Sequence, residues 1–198
     1  MADLALFDFD GTLTRCDSFT PFVTGLLSPA RLRWGRVLLT PAILGYRAGV
    51  VSQRGIRAAV VRVGMSGMPA EHLHAAGKKY ARETLPGLLR ANALSRIEWH
   101  RERGDTLIVV SASLDAYLHP WCKAQRLLCV SSKLEERDGR LTGRYQGRQC
   151  AGSDKLAMVR EQIELSRFDA VHAYGDTEED RAMLDIAQHR YFRWAGLD

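Results

Sequence analysis

The sequence predicts an α/β protein: a parallel sheet covered by helices, with a block of further helices inserted after the first strand. Two patterns predict it. Short apolar runs at 4–7, 106–110, 127–131 and 171–174 alternate with segments of helical periodicity. Such alternation implies right-handed βαβ crossovers and a Rossmann-like parallel sheet. Residues suited to chemistry also gather where those runs end: Asp8 and Asp10, Ser111, Asp176 and Asp180. Open parallel sheets bind ligands beyond the carboxyl ends of their strands.

In chain order, the run 4–7 has no polar interruption and reads as a buried strand. Asp17 or Ser18 caps a helix to about residue 27. Ser28, with Pro29 at the first helical position, opens a second helix, which Pro41 is expected to kink or end. Ser52 caps a third through residue 63. Gly64, Ser66, Gly67 and Pro69 read as a loop, and a fourth helix covers 69–84. After Pro86-Gly87 a helix spans 88–103 and ends at Gly104. Strand 106–110 stops at Ser111-Ala112-Ser113, followed by helix 114–125 and strand 127–131. Residues 133–145, centred on Asp138-Gly139, read as a hairpin. Gly152-Ser153-Asp154 opens a helix carrying Lys155. Strand 171–174 leads through Asp176 into a helix ending near Ala187, and 190–193 is an edge strand. The expected division is a core of residues 1–14 and 86–198 and a helical insertion of 15–85.

With 198 residues, the chain is long enough for one full core and a small accessory domain. The four cysteines, Cys16, Cys122, Cys129 and Cys150, lack metal-site spacing and read as reduced thiols. Asp3 and Asp8 interrupt the first apolar run, so no secretory leader is read and a cytoplasmic location is expected. The net charge of +5 is uneven: residues 18–70 hold seven arginines and no Asp, Glu or Lys. That segment draws anionic partners or is simply a solvated helical surface. Its longest charge-free stretches, 18–30 and 37–46, are too short to span a bilayer but could lie at a membrane surface. The tryptophans are scattered, and no aromatic-basic stripe for nucleic acid is present.

The richest stretch is Asp8-Phe9-Asp10-Gly11-Thr12-Leu13-Thr14. Asp8 and Asp10 are two apart, so if the strand persists they share a face. Two close carboxylates repel unless a cation or a shared proton sits between them. Asp176 from another strand end would complete an oxygen ligand set for a hard cation such as Mg²⁺. Lys155 and the hydroxyls of Thr12 and Ser111 would suit a phosphoryl group, whose transfer depends on positioning and positive charge.

This set resembles the haloacid dehalogenase superfamily in DFDGTLT (8–14), VVSAS (109–113), Lys155 in GSDK, and GDTEED (175–180). The helical insertion matches the C1-type cap of its phosphoserine-phosphatase-like branch. The resemblance implies a Mg²⁺-dependent phosphatase acting on a phosphate monoester. Asp8 would be the nucleophile forming an aspartyl-phosphate, and Asp10 the general acid and base. The Asp8 and Asp176 carboxylates and the Asp10 carbonyl would hold Mg²⁺. Thr12, Ser111 and Lys155 would bind phosphate, and Asp180 would orient Lys155. Asp17 falls where such enzymes place a substrate-binding acid, but it also suits a helix cap. Thr177 and Glu179 stand where phosphoserine phosphatases carry Gly and Asn, so phosphoserine is not the expected substrate. The arginine-rich insertion and QHRYFRW (188–194) are similar to phosphatidylglycerophosphatase C. The expected partner is therefore a small phosphorylated metabolite or a phospholipid headgroup, with peripheral membrane contact through the insertion in the second case. No nucleic acid is expected. A non-catalytic anion binder is the alternative of another class, and clustered carboxylates argue against it.

Overall fold

In chain order, Leu4–Phe7 (β1) is followed by four helices, Phe19–Leu26 (α1), Pro29–Arg47 (α2), Gln53–Met65 (α3) and Ala70–Glu83 (α4). The coordinates are a computed structural model and describe residues 2–197. The short helix Leu85–Leu88 (α5) and helix Ala91–Glu102 (α6) lead to Thr106–Leu114 (β2), Asp115–Ala124 (α7) and Leu128–Ser132 (β3). A hairpin, Leu134–Arg137 (β4) and Arg140–Tyr145 (β5), precedes Ser153–Gln162 (α8) and Val171–Gly175 (β6). Arg181–Leu184 (α9), His189–Phe192 (β7) and Ala195–Leu197 (β8) complete the chain.

The main sheet has the order β3-β2-β1-β6-β7-β8, with β8 antiparallel and all other pairs parallel. The α/β fold and parallel sheet expected from the strand pattern are therefore present. The chain winds one way from β1 to β3 and the other way through β6 and β7. The reversal falls between β1 and β6, and a crevice opens at such a switch point. Alternate residues of each strand enter different cores. Leu4, Leu6, Ile108, Val110 and Ala173 pack with Val159 and Met183 on one face. Ala5, Phe7, Val109 and Tyr174 pack with Ile97, Tyr117 and Trp121 on the other.

Helices α1–α4 lie beyond the second face. α2 packs on α3, and α4 packs on α7 through Gly77. The β4–β5 hairpin joins this block: Gly67 donates to Leu141 O, Leu141 to Met68 O, and Ala70 to Gly139 O, all at 2.8–2.9 Å. Asp138 (φ 50°) and Gly139 (φ 70°) form the left-handed turn that Asp-Gly favours.

Four boundaries differ from expectation. α2 continues through Pro41: residues 37 and 41 are exposed, so the carbonyl that proline leaves without a helical partner is open to solvent. The helix expected over 88–103 is split at Leu89–Arg90, where Arg90 donates to Leu13 O and Arg15 to Leu88 O (both 2.9 Å). The chain leaving β1 and the chain returning to the sheet are paired there, which removes two residues from the helix. β2 extends through Ser111-Ala112-Ser113 to Leu114, because β3 continues beside it to Ser132. Residues 190–192 are not at the edge: β8 folds back to cover β7.

The amino ends of the strands are tied by buried imidazoles. His100 bonds Asp105 at 2.7 Å and Tyr174 Oη at 2.9 Å, and His172 bonds Asp3 at 3.2 Å. Burial holds both imidazoles below their ordinary 6.5, although the neighbouring aspartates act in the opposite sense. A folded state that resists protonation loses stability as pH falls below the unfolded value. The imidazole share of the stability should therefore shrink between pH 7.5 and pH 5.5, read as a change over that interval in the difference between the wild-type and His100→Gln thermal midpoints; a difference that stays constant contradicts it. A Cβ on Gly77 would collide with the carbonyl of Ala116. Gly77→Ala should cost about 1–3 kcal/mol of unfolding free energy, measured by urea denaturation.

Candidate active site

Asp8 follows β1 directly, and its amide donates to Tyr174 O at 2.9 Å, so the central ladder fixes its backbone. Phe9–Leu13 then form a wide turn in which Gly11 adopts φ 87°. A side chain there would be strained and would also collide with the Asp176 carboxylate. Glycine thus lets the turn approach the end of β6.

Lys155, in the first turn of α8, is the cation at the centre. Its Nζ donates to Asp8 Oδ1 at 2.5 Å and to Asp180 Oδ1 at 2.6 Å, and all three side chains are buried. Asp180 Oδ2 accepts from the amides of Asp176 and Thr177 (both 3.0 Å) and from Thr177 Oγ1 (3.2 Å). It therefore holds the loop after β6 and orients Lys155 at once. Thr12 Oγ1 donates to Asp176 Oδ1 at 3.3 Å. Ser111 Oγ accepts the Ser113 amide at 3.1 Å.

Asp10 does not turn toward the partners of Asp8. The strand ends at Phe7, so the alternation that would align the two carboxylates no longer applies. Its Oδ1 accepts the Ser18 amide at 2.7 Å, and its Oδ2 accepts Ser113 Oγ. Asp10 thus joins the start of α1 to the end of β2. Asp17 caps α1, accepting from Phe19 N at 3.0 Å and Thr20 N at 3.2 Å, and also borders the cavity.

A cavity of about 220 Å³ collects these groups at the switch point. Asp8, Asp10, Ser111, Lys155 and Asp176 line it, whereas Thr12 and Asp180 stand behind. Two residues of α3, Gln53 and Arg57, close it from the helical block. Arg57 donates to Glu179 Oε2 at 2.9 Å, and Arg54 bonds Asp154 Oδ2 at 2.7 Å. Sequence reasoning missed Gln53, Arg57 and Ser113. The one signal for Arg57 was its place in an acid-free arginine segment, and its partner is over a hundred residues away.

Burial dominates the electrostatics. It pushes the Asp8 carboxyl up to about 8, with the Lys155 ammonium pulling the other way. Burial also raises Asp10, against the hydrogen bonds from Ser113 and Ser18, and raises Asp176, where the Asp180 charge adds to the effect. Desolvation disfavours the Lys155 cation, but the charges of Asp8 and Asp180 outweigh it and the net direction is upward.

Asp8, Asp176 and Asp180 each offer a carboxylate oxygen within 4.8 Å of the others. Five carboxylates, Asp8, Asp10, Asp17, Asp176 and Glu179, line the cavity against two cations, Lys155 and Arg57. Asp8 Oδ2 and Asp176 Oδ2 take no hydrogen bond among the described residues. No histidine or cysteine lines the cavity. An all-oxygen set with excess negative charge suits a hard divalent ion such as Mg²⁺. Because Asp180 is committed to Lys155 and the loop amides, Asp8 and Asp176 are the side chains free to hold one.

Residues 5–185 match the haloacid dehalogenase-like hydrolase family. The chain is 34% identical to Protein CicA of Caulobacter vibrioides, over 96% of this chain and 85% of that protein. A structure of a protein of unknown function from Bordetella pertussis Tohama I superposes with TM-score 0.77 at 21% identity, covering 97% of this chain and 90% of that one. A phosphoserine phosphatase structure, described as a phospho-aspartyl intermediate analogue, superposes with TM-score 0.67 at 19% identity, covering 96% and 86%. Both superpositions bear on the fold.

Removing Lys155 would leave Asp8 and Asp180 buried without a cation. We expect Lys155→Met, in the presence of chelator, to lose about 3–5 kcal/mol of stability. An unchanged thermal midpoint in that variant would sink the assignment of Lys155 as the charge that holds the site together.

Proposed function

The chain belongs to the haloacid dehalogenase-like hydrolase family, and on that premise we propose that it is a Mg²⁺-dependent phosphoric monoester hydrolase acting through an aspartyl-phosphate. One observation carries the reading: Asp8 stands at the end of the central strand, in a cavity, with Lys155 on one oxygen and the other oxygen free. In this reading residues 1–14 and 86–198 are the catalytic core and 15–85 the cap.

The Asp8 carboxylate attacks phosphorus, and the bond from phosphorus to the ester oxygen breaks. The Lys155 ammonium favours the ionised form that this attack needs, against the upward pull of burial. The alkoxide leaves with a proton from Asp10. Burial raises the Asp10 carboxyl, which favours the protonated form that a general acid needs. Asp10 then takes a proton from water as the water attacks the acyl phosphate, releasing inorganic phosphate and restoring Asp8. Lys155 and Ser111 face the transferred group from the cavity wall. Mg²⁺, held by Asp8, Asp176 and the Asp10 carbonyl, would supply positive charge to the phosphoryl oxygens. The phospho-aspartyl analogue described for the similar phosphoserine phosphatase supports the covalent step. Arg57, Gln53 and Asp17 also line the cavity and would meet the alcohol portion of a phosphorylated metabolite or headgroup.

Hydrolysis of p-nitrophenyl phosphate tests the reading. Wild-type protein with Mg²⁺ should release nitrophenol, EDTA should stop it, and added Mg²⁺ should restore it. Asp8→Asn should reduce the rate to background. Asp10→Asn should lower kcat by about 10²–10⁴-fold, the usual worth of general acid–base catalysis. Full activity in Asp8→Asn protein overturns the mechanism.

A further inference from the structure

Helix α2 carries two apolar stripes. Leu32, Gly35, Leu39, Ala42 and Ile43 recur at helical spacing, are sheltered, and account for packing on α3. Trp34, Val37, Leu38, Pro41 and Leu44 recur at the same spacing on the other side. They stand in solvent: Trp34 is 69% exposed, Val37 64% and Leu38 62%. Val50, 83% exposed, continues the apolar surface beyond the end of the helix. Scattered exposed apolar residues need no explanation, but a continuous stripe over more than two turns does.

The border of the stripe identifies what covers it. Arg33, Arg36 and Arg47 project along one edge by helical spacing, all exposed and without an ion pair among the described residues. The other arginines near the site are engaged: Arg31 with the carbonyls of Gly64 and Ser66, Arg54 with Asp154, and Arg57 with Glu179. No acidic residue lies between 18 and 70 to neutralise this face. A second copy of the same face would bring arginines against arginines, which repel. The helix is not long and apolar enough to cross a membrane.

We propose that this face docks on an anionic lipid surface, with α2 lying along the headgroups. Trp34, Val37, Leu38 and Leu44 would enter the acyl boundary, and Arg33, Arg36 and Arg47 would meet lipid phosphates, the division expected of an interfacial amphipathic helix. The surface leads in sequence into the cavity lining, since Gln53 follows Val50 by three residues. Docking by α2 is independent of the chemistry proposed at Asp8.

Co-sedimentation of the full chain with vesicles tests this. Phosphatidylglycerol vesicles should carry the protein down at low salt, phosphatidylcholine vesicles should not, and added salt should release it. Arg33→Glu/Arg36→Glu/Arg47→Glu should weaken partitioning by roughly a hundredfold or more, from about 1 kcal/mol per basic residue. Leu38→Glu should weaken it by at least roughly tenfold. Both variants should keep the wild-type circular dichroism and thermal midpoint, since neither site is packed. No sedimentation with phosphatidylglycerol at low salt overturns the proposal. So does equal binding by the charge-reversed variant, or a wild-type dimer in ultracentrifugation that Leu38→Glu dissociates.

Discussion

The ammonium of Lys155, 2.5 Å from Asp8 and 2.6 Å from Asp180, is the interaction on which the rest of the site depends. A buried carboxylate without a partner is unstable in its charged form, and here two share one lysine. The lysine comes from the start of α8, Asp8 from the end of β1, and Asp180 from the loop after β6. One charge therefore joins three connections of the sheet. Asp180 passes the constraint onward, because its second oxygen holds the amides of Asp176 and Thr177.

The excess of negative charge around that lysine has a chemical consequence. Five carboxylates line the cavity against two cations, and Lys155 is already bonded to Asp8 and to Asp180 behind it. A divalent ion held by Asp8 and Asp176 would offset that excess. Gly11 makes the convergence sterically possible, since any side chain would strike Asp176. The helical block reaches the same cavity through Arg57 on Glu179, and Arg54 on Asp154 ties α3 to α8 outside the lining. α2, with its uncovered stripe, lies against α3, the helix that supplies both arginines.

Much of this was legible in local sequence. The run 4–7, the turn residues of 8–14, Ser111 at the end of an apolar run and Lys155 after Gly152-Ser153-Asp154 all carried signals within a few residues of themselves. The destination of Asp10 was not legible. Its spacing from Asp8 suggested a shared face, but the strand stops first, and Ser18 and Ser113 hold its carboxylate. Arg57 was visible as one arginine among seven, and nothing local marked it as the one facing Glu179. The position of β7 inside the sheet depended on β8 folding back, and Pro41 stayed within α2 on a face open to solvent.

The sequence by itself determined the strands, the alternation with helices and the polar residues at the strand ends. Those properties follow from side-chain period and from the turn preferences of Gly, Pro, Asp and Ser, which act over a few residues. Only the tertiary structure decided which carboxylates share a lysine, which are free to hold a cation, and which arginines cross to the core. Those outcomes depend on strand order and on the seating of α3 and α8, which bring together residues more than a hundred positions apart. No local period encodes them. The stretch 8–14 shows both halves: its residues announce chemistry, and the fold assigns Asp8 to Lys155 and Asp10 to the junction between α1 and β2.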